Sequence, residues 1–147
     1  MKQPTSSESS KHRFWRSRKA FLAIVLTVMI LVTFGAFYAW EYRPQTLIDE
    51  TVPIKEEYLR QLNVTVLLGN RNVAVTVQTY NIPVFVTLWW QSGTSASVYI
   101  QDEAVAVNST WTRSVTLHDS GGRYQLIVNK NESFGEGLTT IHVRVTT

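Results

Sequence analysis

The sequence predicts an all-β antiparallel sandwich of the jelly-roll or immunoglobulin-like kind, with seven or eight short strands, joined to a single N-terminal transmembrane helix. The helix is indicated by an uncharged apolar run at residues 21–40. The sandwich is indicated by β-branched residues that alternate with polar ones after residue 62, in short runs separated by turn-forming residues at spacings of about ten residues. Parallel strands would require crossover helices, and no helical pattern lies between these runs.

The apolar run FLAIVLTVMILVTFGAFYAW has no charged residue and no proline. A helix of this length rises ~30 Å, which matches the hydrocarbon thickness of a bilayer. A helix on the surface of a soluble protein would show a polar face, and this run has none. Aromatic residues stand at both ends, among them Trp15 and Trp40, where rings favour the membrane interface. We therefore expect a transmembrane helix over residues 21–40.

The distribution of charge predicts the topology of this helix. Residues 1–20 hold six Lys or Arg and one Glu, a net charge of +5, whereas residues 41–147 hold eight basic and ten acidic residues, a net charge of −2. Because basic flanks stay in the cytoplasm, we expect a single-pass protein of the cell membrane with a cytoplasmic N-terminus and an extracytoplasmic C-terminal domain. The basic tail favours contact with the anionic surface of the lipid bilayer and argues against a nucleic-acid partner.

A cleaved signal peptide is the alternative interpretation of the N-terminus. Signal peptides have an apolar region of roughly 7–15 residues followed by small residues before the cut. A cut after Ala36 would place Phe34 where a small residue is required, and only Thr33 with Gly35 fits the pattern. We therefore expect an uncleaved signal-anchor.

The segments around the helix are predicted from their composition. Residues 1–20 form a basic cytoplasmic tail, whose first ten residues are polar and are expected to be disordered. Residues 41–54, with prolines at 44 and 53, are expected to form a stalk, and residues 55–147 the extracytoplasmic domain. The stretch Ile54–Leu62 fits either one or two helical turns, which the Glu56–Arg60 pair favours, or an edge strand, and both interpretations stay open at this point.

The first two strands of the domain are predicted as a β-hairpin, in which Leu62–Leu68 and Val73–Gln78 are joined by the turn Gly69–Asn72. Further strands are predicted at Val84–Trp90, at Val98–Ile100 and Ala104–Val107 on either side of Gln101–Glu103, and at Thr110–Leu117, Tyr124–Asn129 and Leu138–Thr146. The residues expected to face the core share parity within their strands: Val64, Val66, Val75, Val77, Val84, Val86, Leu88, Val98, Ile100, Val115, Leu117, Tyr124, Leu126, Val128, Ile141, Val143 and Val145. Their polar neighbours should face water: Thr76, Gln78, Thr87, Thr116, Gln125, His142 and Arg144.

The segment Leu117–Asn129 reads LHDSGGRYQLIVN, a strand followed by an acidic Ser-Gly turn and a Tyr-x-Leu-x-Val strand that ends in Asn. It resembles the late hairpin of small extracytoplasmic β-sandwich modules of the prepeptidase C-terminal and emp24-like kinds. The matching residues are Asp119, Ser120, Gly121, Tyr124, Leu126, Val128 and Asn129. The segments Pro83–Val86 and Val98–Asp102 resemble the strands that precede a variable loop in those modules. The resemblance implies a non-catalytic accessory domain.

The residues that could carry chemistry are few. The chain has no cysteine, which excludes disulfides, thiolate metal sites and cysteine nucleophiles. No serine stands in a G-x-S-x-G elbow or near a histidine in a triad-like pattern, so we expect no enzyme activity and no cofactor. The candidates for a hard cation are Asp102, Glu103, His118 and Asp119, although no ligand spacing requires a metal there.

Two other features suggest sites. Trp89 and Trp90 occupy successive positions of one strand, so their rings should project from opposite faces, and with Tyr99 and Trp111 they are the candidates for binding a protein or stacking on a sugar. Asn63, Asn108 and Asn131 each begin an N-x-S/T sequence and are candidate N-glycosylation sites outside the membrane.

These observations predict a membrane-tethered module that displays a β-sandwich for interaction with a protein or another component of the cell envelope. The alternative is a tethered module that binds a glycan or a divalent cation through its aromatic and acidic residues. The two predictions differ in a measurable way, because a bound ligand must stabilise the folded domain.

Overall fold

The computed structural model of the protein describes residues 7–66, 69–134 and 137–147. The chain divides into two compact units, residues 1–43 and residues 44–147. The first unit contains helix α1 (Ser7–Glu41). Within it, the 24-residue segment Arg18–Glu41 contains an 18-residue window with a mean hydropathy of 2.6, and the segment is long and apolar enough to cross a membrane. Thr27 and Thr33 donate their hydroxyl groups to backbone carbonyls one turn earlier, at 2.9 and 2.8 Å, so neither hydroxyl requires water.

The start of α1 differs from the sequence-based expectation. We predicted disorder over the first ten residues, but Ser7–Ser10 belong to the helix, and residues 1–6 lie outside the described part of the chain. Polar residues can extend a helix that already exists, because each added residue gains a hydrogen bond without a new nucleation step. The composition of the first ten residues alone therefore does not predict that the helix extends into them.

In the second unit, the described residues form eight strands and one short 3₁₀ turn at Glu132–Phe134. The strands are β1 (Thr46–Ile54), β2 (Glu57–Leu62), β3 (Arg71–Thr79), β4 (Val84–Ser92), β5 (Ser95–Val105), β6 (Ser109–Leu117), β7 (Arg123–Lys130) and β8 (Thr139–Thr146). They form two four-stranded antiparallel sheets. Sheet A has the order β1-β8-β3-β6, and sheet B has the order β2-β7-β4-β5.

The pairing of the strands is nested: β1 pairs with β8, β2 with β7, β3 with β6 and β4 with β5. This is the pattern of one long hairpin that has been rolled up, which is the jelly-roll arrangement. Only the β4–β5 connection stays within one sheet, and every other connection between consecutive strands crosses to the opposite sheet. The predicted antiparallel sandwich is confirmed, and its topology is the jelly roll.

The predicted stalk is wrong over most of its length. Strand β1 occupies Thr46–Ile54, and the compact unit begins at Pro44 rather than at residue 55. Ile48 and Val52 of β1 pack against the core, and Pro53 is tolerated because β1 is an edge strand. The stretch Ile54–Leu62 fits either a helix or a strand by its sequence, and within it Glu57–Leu62 forms the edge strand β2.

Two further strand predictions need correction. Strands β2 and β3 lie in different sheets, so the predicted β-hairpin between Leu62–Leu68 and Val73–Gln78 does not form. Asn63–Val66 lie outside any strand, and residues 67–68 lie outside the described residues. The two strands predicted on either side of Gln101–Glu103 form a single strand, β5. Its register against β4 shifts between the pairs Val86–Glu103 and Leu88–Ile100, and this irregularity accommodates the intervening residues.

The core lies between the two sheets and consists mainly of valine, leucine and isoleucine. All residues predicted to face inward are buried except Val64 and Val115, which are partly buried, and Val98, which is 58 % exposed. Val98 faces outward because a second register irregularity pairs it with Trp89 rather than with an inward residue. All the residues predicted to face water are partly or fully exposed. The core also contains residues that we did not assign to it: Ile54, Tyr58, Leu62, Val73, Ile82, Trp90 and Val105.

Candidate interaction surface

The outer face of sheet A is polar. Its pairing register aligns Asp49, Arg144, Thr76 and Thr112 in one row across all four strands. These groups bind one another, since the Asp49 carboxylate lies 3.7 Å from the Arg144 guanidinium and the hydroxyl groups of Thr76 and Thr112 are 3.1 Å apart. In the neighbouring row, the ring of His142 lies 3.4 Å from the same carboxylate. Several polar groups of this face therefore bond to one another within the face.

The outer face of sheet B carries apolar side chains among its polar ones. Leu59 pairs with Ile127 in one row, and Trp89 pairs with Val98 in the next. Phe85 lies on the same face two residues before Thr87 and four before the tryptophan. Leu59 and Val98 are 48 % and 58 % exposed, and the other three side chains are partly exposed. We call these five residues the sheet B patch: Leu59, Phe85, Trp89, Val98 and Ile127. Contiguous apolar side chains on an outer surface are typical of binding sites.

The two neighbouring tryptophans separate as predicted. Trp89 belongs to the sheet B patch, whereas Trp90 is only 8 % exposed and lies in the core. Gly122 covers the Trp90 ring so closely that a Cβ atom at this position would come within 2.3 Å of its indole nitrogen. The sequence predicted that one of the two rings faces outward, and the structure identifies Trp89 as that ring.

Trp111 lies at the edge of the sandwich where β5 and β6 meet. Its indole N–H donates to the Glu103 carboxylate at 3.2 Å, and the Arg113 guanidinium lies 3.6 Å from the other oxygen of the same carboxylate. Glu103 therefore bridges sheet B, which carries it, and sheet A, which carries its two partners. This contact stabilises the fold and leaves Trp111 partly buried.

The opposite edge of the sandwich repeats this arrangement, which sequence reasoning missed. Glu50 of β1 accepts hydrogen bonds from the Tyr58 hydroxyl at 2.5 Å and from the Arg60 guanidinium at 2.9 Å, both in β2. The spacing is the same in both cases, because an aromatic residue follows the glutamate after eight positions and an arginine after ten. A search for the repeat E-x₇-aromatic-x-R would have found both trios, which we call the β1–β2 clamp and the β5–β6 clamp.

The fourth aromatic candidate, Tyr99, holds the connection between β6 and β7. Its hydroxyl donates to the Asp119 carboxylate at 2.7 Å and accepts the backbone N–H groups of His118 and Asp119 at 3.1 and 3.2 Å. The hydrogen bond from Tyr99 is the main reason that the pKa of Asp119 is lowered. The Tyr124 hydroxyl donates to the Asp119 carbonyl at 2.6 Å, and burial raises the pKa of that tyrosine. Because the single donor and both acceptor sites of the Tyr99 hydroxyl are used, this cluster has a structural role.

The four candidates for a cation site do not come together. Asp102 accepts a hydrogen bond from Thr87 at 2.8 Å, Glu103 belongs to the β5–β6 clamp, and Asp119 is bound by Tyr99. The His118 ring packs against the Tyr99 ring in a tilted arrangement, with 5.2 Å between the ring centroids. Within the described residues, no three His, Asp or Glu side chains form a group that could hold a metal ion.

The three candidate glycosylation sites lie at the surface of the domain. Asn63 follows the end of β2 and is exposed. Asn108 is exposed in the turn between β5 and β6, where its φ of 53° is a conformation that asparagine tolerates. Asn131 is partly exposed, and its side-chain oxygen accepts the backbone N–H of Ser133 at 3.1 Å. All three side chains are at least partly accessible to solvent, and their glycosylation stays a prediction.

Compared with known proteins, the chain matches no protein-family model, and no curated protein sequence is significantly similar to it. The resemblance of Leu117–Asn129 to prepeptidase C-terminal and emp24-like modules stays a prediction.

Proposed function

We propose that this chain is a single-pass membrane protein that displays a non-catalytic jelly-roll domain outside the cytoplasm and binds another protein through the sheet B patch. The observation that carries the proposal is the difference between the two outer faces. Sheet B presents five apolar side chains on its outer face, whereas the outer face of sheet A presents polar residues that bond one another. Burying the patch against a partner removes apolar surface from water, at about 25 cal/mol per Å².

The binding proposal is tested with two charge-introducing variants of the full chain, captured from solubilised native membranes through a tag on the N-terminal tail. Val98→Asp places a charge in the sheet B patch, and Gln78→Asp places the same charge on the outer face of sheet A. We expect Val98→Asp to abolish recovery of a specific protein that the wild type and Gln78→Asp both retain. Equal recovery with both variants, after circular dichroism shows that both are folded, would remove the patch from the binding site.

The topology is tested separately. The basic residues between Lys11 and Lys19 support a cytoplasmic N-terminus, and the long apolar segment of α1 supports retention as an anchor. External protease on intact cells should cleave residues beyond Trp40 and spare an epitope tag on the N-terminus. A protected C-terminal domain, or a mature protein that begins near Ala36, would contradict this topology.

Glycan binding is the second candidate, and one row of sheet B favours it. Gln61, Gln125 and Trp89 lie in this order on the outer face, so two amide groups that can bind hydroxyls lie on one side of an aromatic ring that can stack on a sugar. A saturating glycan raises the free energy of unfolding by ~2.7 kcal/mol at a hundredfold excess over its dissociation constant. A thermal-shift screen with envelope polysaccharides should then show stabilisation that Trp89→Ala removes and Trp111→Ala preserves.

A further inference from the structure

The sandwich has four edge strands, β1 and β6 in sheet A and β2 and β5 in sheet B. Exposed edges invite pairing with other chains, and proteins protect them with proline, charge, bulges or short length. Strand β1 contains Pro53 and a register irregularity between Thr46 and Ile48. Strand β5 contains two irregularities, with Asp102 at a φ of 44° beside one of them. Strand β2 has only six residues, and two of them, Glu57 and Arg60, are charged.

Strand β6 has the fewest of these protections. Its nine residues, Ser109–Leu117, pair with Arg71–Thr79 in an unbroken register. It contains no proline, and its one charged residue is Arg113. The alternate residues Thr110, Thr112, Ser114 and Thr116 are exposed and, apart from the serine, are β-branched. Of the four edges, this one is best suited to accept another strand.

We propose that β6 pairs antiparallel with β6 of a second copy of this chain, with the two-fold axis at Thr112. In an antiparallel sheet, residues opposite each other lie on the same face, and successive residues of a strand lie on opposite faces. The two-fold axis must therefore place one residue opposite its own copy. An axis at Thr112 places Trp111 opposite Arg113 of the other copy, and this cation–π pair occurs twice. It also opposes Thr110 to Ser114. An axis at Arg113 would instead oppose two like charges, which is destabilising.

The edge holds these side chains in place before pairing. Glu103 binds the Trp111 indole at 3.2 Å and lies 3.6 Å from the Arg113 guanidinium, so both groups are restrained at the edge. Restraint of side chains before association lowers the entropy lost on binding. The proposed pairing joins the two A sheets and does not use the sheet B patch, so it is independent of the proposed function.

The chain has no cysteine, so a single introduced thiol reports on the register of pairing. Thr112→Cys in the full chain, purified in detergent micelles, places two thiols on the axis, where Cα atoms of opposed residues are about 4.5–5.5 Å apart, within disulfide range. Thr116→Cys is the matched control on the same strand and face, and its two thiols would lie ~27 Å apart. Each variant loses one surface hydroxyl bond, Thr112 with Thr76 or Thr116 with Asn72.

We expect mild oxidation to form dimers of Thr112→Cys roughly tenfold or more faster than dimers of Thr116→Cys, because pairing raises the effective concentration of opposed thiols. An equimolar mixture of Thr110→Cys and Ser114→Cys should cross-link mainly as a mixed pair. Association through α1 would raise the rates at all these positions together and would not reproduce this pattern. Equal rates for Thr112→Cys and Thr116→Cys, or fastest cross-linking of Ser114→Cys with itself, would overturn the proposal.

Discussion

The two clamps close opposite edges of the sandwich with the same residue spacing, but their contacts differ in length. In the β1–β2 clamp, the Glu50 carboxylate lies 2.5 Å from the Tyr58 hydroxyl and 2.9 Å from the Arg60 guanidinium. In the β5–β6 clamp, the corresponding distances from Glu103 are 3.2 Å to the indole and 3.6 Å to the guanidinium. Glu50 lies in a regular part of β1, whereas Glu103 directly follows Asp102, the residue with positive φ in the irregular part of β5.

This difference shows how backbone regularity determines the strength of a repeated contact. In a regular strand, the glutamate side chain lies directly opposite the tyrosine and arginine of the neighbouring strand. A bulge bends the strand and turns the glutamate side chain away from that position. The hydrogen bond from Arg60, followed by that from Tyr58, lowers the pKa of Glu50. Burial, followed by the bond to Glu50, raises the pKa of Tyr58. The β1–β2 clamp should therefore contribute more to stability, and four comparisons of unfolding free energy test this.

The largest difference is expected from truncation of the two aromatic residues. Tyr58 is 6 % exposed in the core, so Tyr58→Ala should destabilise the domain by about 3–5 kcal/mol through lost burial and a residual cavity. Trp111 is only partly buried, so Trp111→Ala should cost less. Urea unfolding of the full chain in detergent micelles, followed by far-UV circular dichroism, measures both. A larger loss at Trp111 would reverse the ranking of the clamps.

Removal of the donor alone is expected to have the next largest effect. Tyr58→Phe keeps the ring and deletes the hydroxyl group that donates a hydrogen bond to Glu50. This change should reduce the unfolding free energy by about 1.5–3 kcal/mol, because the acceptor is charged. The matched change at the other edge, Trp111→Phe, deletes a longer hydrogen bond at a partly buried site and should cost less. The double variant Glu50→Gln with Tyr58→Phe provides the control. In the Glu50→Gln background, Tyr58→Phe should reduce the unfolding free energy by less, because the charged acceptor of the hydroxyl is absent.

The dependence of stability on pH gives a smaller and independent comparison. The pKa of Glu50 in the folded state lies below its ordinary value of 4.5, so its contribution is present above that value and is lost as the pH falls through the folded pKa. The unfolding free energy of the wild type should therefore decrease between about pH 5 and pH 3 more than that of Glu50→Gln. Arg60→Met, which removes the main cause of the shift, should reduce this decrease as well. Parallel pH profiles for all three proteins would show that the clamp does not perturb Glu50.

The smallest effects are expected from the two exposed ion pairs. Arg60 and Arg113 have side chains that are 53 % and 58 % exposed, so solvent screens both pairs. Double-mutant cycles should give a small coupling energy for Glu50–Arg60 and a still smaller one for Glu103–Arg113. Added salt should reduce the first value. Equal coupling at both edges would mean that the shorter contact confers no advantage.

Several parts of the structure follow from patterns that are local in the sequence. The apolar segment of α1 needs no tertiary contact to be recognised, because its length and composition alone match a bilayer. The alternation in β3, β4, β7 and β8 predicts which side chains are buried, because successive residues of any regular strand point to opposite faces. The same rule separated Trp89 from Trp90 before any strand had been assigned a partner.

Other parts depend on contacts between residues that are distant along the chain. The turn chemistry at Gly69–Asn72 suggested a hairpin, but β2 pairs with β7 and β3 pairs with β8 and β6, so the connection crosses between sheets. Val98 shares the local pattern of a core residue, and it faces outward because the register of β5 against β4 shifts beside it. The composition of β1 predicts a stalk, because the burial of this strand depends on β8, more than eighty residues away. The alternation of side chains between the two faces of a strand depends only on neighbouring residues. The sheet to which a strand belongs, its register and the two clamps depend on pairing between strands that are distant in sequence.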